Sequence, residues 1–165
     1  MTNIRPLLLV DACVLIDYAN SSSSVLKLVS KHVGKLHVAT TVFREVTQVQ
    51  PDDASRLGLT IVEPNLDMLA QAAAVKGRLS FEDRIALIMS KELGFTCVSN
   101  DTQLRLECNR QGVPVLWGLE LLVQLADAGA INVAKAVTIG TAICNANKWL
   151  GPDVLARFLA RMAGS

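Results

Sequence analysis

Short aliphatic runs alternate with longer helical segments along this chain, and this alternation constrains its fold more than any other feature. The strand candidates are short runs rich in aliphatic or β-branched residues, at 7–10, 36–40, 59–62, 95–98 and 113–116. Strands that alternate with helices form α/β domains, and right-handed crossovers then make the sheet mainly parallel. We therefore predict a doubly wound α/β fold with a mainly parallel sheet.

The segments between and after these strands are long and periodic enough for helices. Asn65 is a plausible helix N-cap, and Gly94 and Gly112 stand where two of the helices end. The predicted helices cover 14–33 (interrupted by the serine tract 21–24), 42–50, 66–75, 81–93, 102–111, 119–128, 133–147 and 153–162. We assign residues 1–130 to the α/β domain and 131–165 to a helical C-terminal extension, packed on the same domain or at an interface.

Composition fits one domain with one large core, because 51% of the 165 residues are hydrophobic and 19% are charged. The net charge of +1 gives no electrostatic reason to expect a nucleic-acid partner, but a local basic rim could still bind phosphates.

The cysteines show no C-x-x-C spacing and are predicted to be buried free thiols: Cys13, Cys97, Cys108 and Cys144. No secretory signal or membrane span is evident, so we expect a soluble, cytoplasmic protein without a membrane partner.

Four carboxylates are predicted to meet at one edge of the sheet. Asp11 directly follows the first strand, and Asp101 follows the fourth, so both lie where open α/β sheets bind ligands. Glu45 is placed in the first turn of the helix after the second strand, and Asp83 in the first turn of the helix that begins at residue 81. Each of these two side chains can face the same edge.

Clustered carboxylates repel one another unless a cation neutralises them, so a divalent metal is the simplest explanation for such an arrangement. Oxygen ligands without His or Cys favour Mg²⁺ or Mn²⁺ over Zn²⁺. Such a site can activate a water molecule and offset the charge on a phosphoryl group, which makes a phosphodiester the natural substrate.

A structural role is an alternative for each acid taken singly. Asp11 and Asp101 precede helices and can act as N-caps, and Ser80 with Asp83 resembles a capping box. Glu45 can simply complement a helix dipole. Capping does not require all four side chains to share one sheet edge, and this coincidence favours the functional interpretation.

Other polar and aromatic residues near this edge are left outside the predicted site. Asp17 is assigned a structural role, and Asn100 is more typical of a turn between strand and helix. Solvated surface roles are favoured for the nearby arginines Arg44, Arg78, Arg84 and Arg105. Packing in the core or at an interface is favoured over base stacking for Trp117 and Trp149.

Four segments together resemble the PIN-domain nucleases, and within them the VapC-like toxins of type II toxin–antitoxin systems. They are LLLVDACVLID (7–17), TVFREV (41–46), SFEDRIAL (80–87) and VSNDTQL (98–104), and the resemblance spans about residues 4 to 130. It implies a three-layer α/β/α sandwich with a five-stranded parallel sheet. It also implies catalytic metal coordination by Asp11, Glu45, Asp83 and Asp101, with Glu82 as the other choice for the third ligand.

The function implied by the resemblance is Mg²⁺- or Mn²⁺-dependent cleavage of RNA, by a homodimer that a cognate antitoxin protein neutralises. Two other classes of protein stay open. The first is a non-catalytic PIN-like module that binds RNA or protein, against which the complete set of carboxylates argues. The second is a phosphatase or receiver domain, but Cys13 stands where a dehalogenase-type phosphatase needs its second Asp.

Overall fold

The computed structural model describes residues 4–164 and shows one parallel five-stranded sheet in the order β3-β2-β1-β4-β5. The strands are β1 Leu7–Val10, β2 Lys35–Ala39, β3 Leu59–Val62, β4 Thr96–Val98 and β5 Val115–Leu116. Leu8 pairs with Leu36 of β2 on one side and with Thr96 of β4 on the other. The chain builds outward from β1 to β3 and then returns to β4, so the strand order reverses between β1 and β4. Ligands bind at this kind of switch point in open α/β sheets.

Helices cover both faces of the sheet, and the predicted α/β/α sandwich is confirmed. The helices are α1 Ala12–Ser22, α2 Ser24–His32, α3 Thr40–Phe43, α4 Pro51–Ala54, α5 Leu66–Ala74, α6 Phe81–Leu93, α7 Thr102–Arg110, α8 Glu120–Asp127, α9 Val133–Ala146 and α10 Pro152–Ala163. Helix α2 packs on β2 and β3 and contacts α1 and α8, whereas α6 packs on β1 and β4 and contacts α5 and α7. The central strand β1 is the most enclosed: Leu8, Leu9 and Val10 are fully buried.

Local signals placed most helix ends correctly. The serine tract breaks the first helical region at Ser23, between α1 and α2. Asn65 caps α5 by accepting a 2.8 Å hydrogen bond from the Met68 amide. Gly94 and Gly112 follow α6 and α7 with φ of 74° and 71°, a left-handed conformation that glycine adopts without steric cost.

The predicted helix over 42–50 is wrong. Helix α3 ends at Phe43, and the chain passes through turns to Gln50, whose extended backbone precedes Pro51. Steric clash with proline disfavours helical geometry for the residue before it, and the β-branched residues of this segment favour helices weakly. Its apolar spacing is nevertheless real, because Val46 and Val49 are buried. These two side chains are buried by an irregular segment and not by a helix.

The C-terminal helical region is present and packs on the rest of the structure. Helix α9 contacts α1 and α8, and α10 contacts α8 and α9. Phe158 and Met162 of α10 are buried, and the ring of Phe158 lies directly against Gly140 of α9. None of the helices within residues 4–164 is long and apolar enough to cross a membrane.

All four cysteines are free thiols, as predicted, but their burial differs. Cys97 and Cys108 are buried, and Cys144 is half-buried. Cys13 is exposed, so the prediction that it is buried is wrong. Its neighbours Val14 and Leu15 occupy the inward face of α1 and leave position 13 on the outer face.

Candidate functional site

Asp11 stands where β1 becomes α1, and its side chain is almost completely enclosed, with 6% exposed. Its backbone amide donates a 3.1 Å hydrogen bond to the Val98 carbonyl, and this bond continues the pairing of β1 with β4. One carboxylate oxygen accepts a 2.9 Å hydrogen bond from the Val14 amide and so caps α1. The other accepts a short hydrogen bond from the Ser99 hydroxyl. A buried carboxylate is therefore fixed at the carboxyl end of the central strand.

Ser99 joins Asp11 to the second predicted acid. The Ser99 hydroxyl donates to Asp11 and accepts a 3.0 Å hydrogen bond from the backbone amide of Asp101. Asp101 in turn caps α7, because its Oδ1 accepts from the Leu104 amide at 2.8 Å. Unlike Asp11, the Asp101 side chain is exposed. Ser99 was not predicted to be part of the site, although a serine that directly follows a buried strand, two residues before an aspartate, is a signal that could have identified it.

Asp83 lies in the first turn of α6, the helix that packs on β1 and β4. Ser80 caps this helix by accepting a 3.1 Å hydrogen bond from the Asp83 amide, as the predicted capping box requires. The charge of this half-buried carboxylate raises the pKa of Asp11, and the charge of Asp101 raises the pKa of Asp83. Asp83 thus takes part in a helix cap and also belongs to the acidic cluster.

Glu45 was predicted in a first helical turn, and this placement is wrong. The residue follows the end of α3 and sits in a turn, where its amide donates to the Val42 carbonyl at 3.1 Å. Its side chain is exposed and stands beside the start of α6. Burial is the first cause that raises its pKa, followed by the negative charges of Glu82 and Asp83. Glu45 therefore borders the cluster from the loop side, and both Glu82 and Asp83 lie near it.

The clustered carboxylates repel one another, and this repulsion shows in the pKa values of Asp11 and Asp83. The pKa of Asp11 is raised to about 6, first by burial and also by the charges of Asp83 and Asp101, against the lowering effect of the Ser99 and Val14 hydrogen bonds. The pKa of Asp83 is also raised, first by burial and then by Asp101 and Glu82, while hydrogen bonds with Ser80 lower it. A nearby cation would relieve both effects.

Asp17, which the sequence analysis left outside the site, is half-buried beside the C-terminal region. The amide nitrogen of Asn147, at the end of α9, lies 3.1 Å from both carboxylate oxygens. The Asn100 side chain donates to Asp17 at 3.5 Å and accepts from the Gly118 amide at 2.9 Å. Burial raises the pKa of Asp17 to about 6 despite these hydrogen bonds. Asn147 was not predicted, since nothing local marks a contact between α1 and α9.

The other residues weighed from the sequence fall into different environments. Arg44 and Arg78 are exposed, as expected, whereas Arg84 donates to the Val75 carbonyl. Trp149 is 93% exposed, so it does not pack in the core, and packing at an interface stays a prediction for it. Arg105 and Trp117 contact each other.

The donor chemistry at the carboxyl edge suits a hard divalent ion. The clustered side chains offer only carboxylate oxygens, which Mg²⁺ and Mn²⁺ prefer. Within residues 4–164, no three His, Cys, Asp or Glu side chains are drawn close enough together to form a ready metal site. The residues fit such an ion by their chemistry and their shared edge, and binding would require their side chains to close in.

The comparisons with known proteins concern the fold. A PilT N-terminus (PIN) domain protein from the hyperthermophilic archaeon Sulfolobus solfataricus P2 superposes with a TM-score of 0.51 at 15% identity, over 74% of this chain and 92% of that one. The protein PAE2754 from Pyrobaculum aerophilum gives a TM-score of 0.51 at 22% identity, over 74% of this chain and 90% of that one. No protein-family model and no curated protein sequence matches the chain. The fold is that of a PIN domain.

Proposed function

We propose that this protein is a metal-dependent endoribonuclease that hydrolyses RNA phosphodiester bonds at the carboxyl edge of its sheet. One observation carries the proposal: Asp11 and Asp101 follow the adjacent strands β1 and β4 at the switch point and share the Ser99 hydroxyl as a bridge. Capping alone does not require that bridge. The fold supports the same assignment, because PIN domains are generally nucleases.

Asp11, Glu45, Asp83 and Asp101 would hold Mg²⁺ or Mn²⁺. The ion, when bound, supplies an activated water and offsets negative charge on the phosphoryl group. Asp11 is the most strongly oriented of the four, because backbone and hydroxyl donors fix both of its oxygens. Ser99 acts through Asp11 and is a positioning residue.

The biological context belongs to the same proposal. The resemblance to VapC-like toxins favours a toxin that works as a homodimer and is blocked by a cognate antitoxin protein. The free cysteines are compatible with a reducing cytoplasm, where RNA is also available.

The test is cleavage of labelled single-stranded RNA by the purified full chain, with Mn²⁺ or Mg²⁺ and with EDTA. The control for a contaminating nuclease is Asp11→Asn, prepared in the same way. Asp53→Asn is the matched variant, because Asp53 is a partly exposed residue of α4 whose carboxylate pairs with Arg56 at 3.2 Å. We expect metal-dependent cleavage by the parent and by Asp53→Asn, and none by Asp11→Asn.

A folded protein that neither cuts RNA nor binds Mn²⁺ in calorimetry would contradict the proposal. That result would favour the non-catalytic PIN-like module that binds RNA or protein. Cleavage that persists in EDTA and in Asp11→Asn would assign the activity to a contaminant.

A further inference from the structure

The sheet edge that carries Asp11, Glu45, Asp83 and Asp101 is called the acidic edge below. A second charged cluster, of opposite sign, lies beside it. The guanidinium carbon of Arg105 stands 3.5 Å from the centroid of the Trp117 ring, and that of Arg157 stands 5.1 Å from it. Arg105 belongs to α7, Trp117 follows β5, and Arg157 belongs to α10. Three separate elements thus bring two positive charges onto one indole, and we call these residues the Trp117 cluster.

Within the described part of the chain, neither guanidinium of the Trp117 cluster forms an ion pair with a carboxylate. The ion pairs found within residues 4–164 are Arg56–Asp53, Arg110–Glu107 and Arg161–Glu120, and none involves Arg105 or Arg157. The Nε atom of Arg105 is shielded from solvent and has no hydrogen-bond partner. Burial and the charge of Arg157 both lower the pKa of Arg105. An anion placed between the two guanidiniums would relieve this repulsion.

The geometry of the stack leaves the donors usable. At 3.5 Å from the ring centroid, the Arg105 guanidinium lies on the indole face. A stacked guanidinium keeps its in-plane N–H groups free to bind a phosphate in a forked arrangement. The indole therefore orients the donor plane of Arg105 without using up its hydrogen-bonding capacity.

The Trp117 cluster is tied directly to Asp101. The Arg105 amide donates to the Asp101 carbonyl at 3.0 Å, one helical turn into α7. On the other side, the Gly118 amide donates to the Asn100 side chain at 2.9 Å. Since β4 and β5 are parallel neighbours, Trp117 lies at the same sheet edge as the acids. The two clusters therefore share one edge of the sheet.

A cavity of about 200 Å³ opens from the Trp117 cluster between α8 and α10. Its apolar wall includes Leu119, Val123 and Phe158, and Trp117 and Arg157 also line it. Two further charged lining residues, Glu120 and Arg161, pair with each other at 2.7 Å. A small apolar recess next to two guanidiniums suits one nucleoside with its phosphate.

We propose that Arg105 and Arg157, oriented by Trp117, bind a phosphate of the RNA strand that flanks the bond to be cut, and that the cavity receives the adjoining nucleoside. This inference deepens the proposed nuclease function and rests on it for the identity of the ligand. It also gives the C-terminal region a role, because α10 contributes a substrate-binding side chain. The same phosphate chemistry would attract other polyanions, which the experiment has to separate from RNA.

The test measures binding of a short fluorescein-labelled single-stranded RNA by anisotropy, in the non-cleaving Asp11→Asn background and over a series of salt concentrations. Arg105→Gln and Arg157→Gln are each expected to weaken binding about tenfold. Each is also expected to reduce the slope of log Kd against log salt by about 0.7, the value for one phosphate contact on a single strand. Arg110→Gln is the matched control on α7, since Arg110 pairs with Glu107 at 2.7 Å.

Two further measurements separate binding from folding and from polyanion attraction. Arg105→Lys keeps the charge but removes the planar fork, so it should bind RNA more weakly than the parent at an unchanged melting temperature. In the active protein with Mn²⁺, Arg157→Gln should raise KM and leave kcat unchanged, which indicates lost substrate binding alone. A single-stranded RNA should compete better than inorganic polyphosphate of equal charge.

The outcomes for the two proposals are distinguishable. If Arg105→Gln and Arg157→Gln bind RNA with the affinity and salt slope of Arg110→Gln, the phosphate site is wrong, even where the parent cleaves RNA. If polyphosphate competes as well as RNA, the cluster is a general anion site and the inference is overturned. If the parent never cleaves RNA but both variants lose RNA binding, the nuclease function fails and the binding site stands.

Discussion

The acidic edge and the Trp117 cluster are neighbours of opposite charge, and they are built in opposite ways. Asp11, Asp83 and Asp101 each take part in an N-terminal cap that joins two residues three positions apart in the sequence. The Trp117 cluster instead needs α7, the end of β5 and α10 to come together. Local hydrogen bonding therefore encodes the cap at each acid, and the sheet with the Ser99–Asp11 hydrogen bond brings these caps to one edge. The basic cluster has no such local part and depends on tertiary packing across most of the chain.

The largest effect should come from removing one negative charge of the acidic edge while keeping its cap. Asn caps helices about as well as Asp, so Asp101→Asn should leave the melting temperature near that of the parent. Cleavage should fall by about a hundredfold to a thousandfold, as expected when one electrostatic group of an active site is lost. Initial rates with Mn²⁺ and thermal unfolding of the same preparations check both parts.

Asn65→Ala is the control that removes a cap without touching the site. Asn65 caps α5, and its loss should cost about 1 kcal/mol of stability with no change in cleavage. If Asp101→Asn behaved like Asn65→Ala, with lower stability and intact activity, Asp101 would be a cap and nothing more.

The same difference between local and long-range encoding explains how far the sequence could be interpreted. The parallel sheet, the break at the serine tract and the caps at Asn65, Ser80 and Asp101 follow from short patterns, and all were predictable. The edge shared by the acids was expected because the carboxyl ends of parallel strands lie together. The strand order was not predicted, since the handedness of crossovers does not decide which strands are neighbours.

What the sequence could not show depends on contacts between distant segments. Asn147 meets Asp17 only because α9 packs on α1, and Arg157 meets Trp117 only because α10 packs on α8. The helix expected over 42–50 failed for a different reason. The buried side chains of Val46 and Val49 mimic helical spacing inside an irregular segment that ends before Pro51.

The next largest effect concerns Ser99, the single bridge between two acids. Ser99→Ala removes the hydroxyl that donates to Asp11, and should weaken Mn²⁺ binding about tenfold to a hundredfold, as loss of a hydrogen bond to a metal ligand does. Calorimetric titration with Mn²⁺ measures this. Ser90→Ala is the matched control, because the buried Ser90 hydroxyl has no hydrogen-bond partner. Equal Mn²⁺ affinity in the two variants would show that the bridge does not orient Asp11.

The metal-free protein should lose stability as the pH rises, because of its buried acids. The pKa of Asp11 in the folded protein is about 6, above its ordinary value of 3.8. A carboxyl group with a raised pKa favours the folded state when protonated, so its contribution is complete below about pH 4 and is lost as the pH rises through 6. Asp17, whose pKa is also about 6, acts in the same direction.

Urea unfolding in EDTA at pH 5 and at pH 7, compared between the parent and Asp11→Asn, measures that contribution. At pH 7 the substitution should stabilise the protein by up to about 3 kcal/mol, the free-energy equivalent of the Asp11 pKa shift. The gain should shrink toward pH 5. If the free energy of unfolding of the parent increased steadily from pH 5 to pH 7, the folded protein would not disfavour the charged form of Asp11.

The smallest expected effect comes from a change in the C-terminal region, which contributes Arg157 to the Trp117 cluster. A methyl group added at Gly140 would collide with the Phe158 ring, so Gly140→Ala must push α10 away from α9, at a cost of about 1–3 kcal/mol. Arg157 would move with α10, so RNA affinity should fall severalfold while Mn²⁺ affinity stays unchanged. Gly164→Ala is the control, since a Cβ there meets only ordinary contacts at 3.8 Å. Equal losses of RNA and Mn²⁺ binding in Gly140→Ala would mean that the two clusters depend on the same packing and are not built independently.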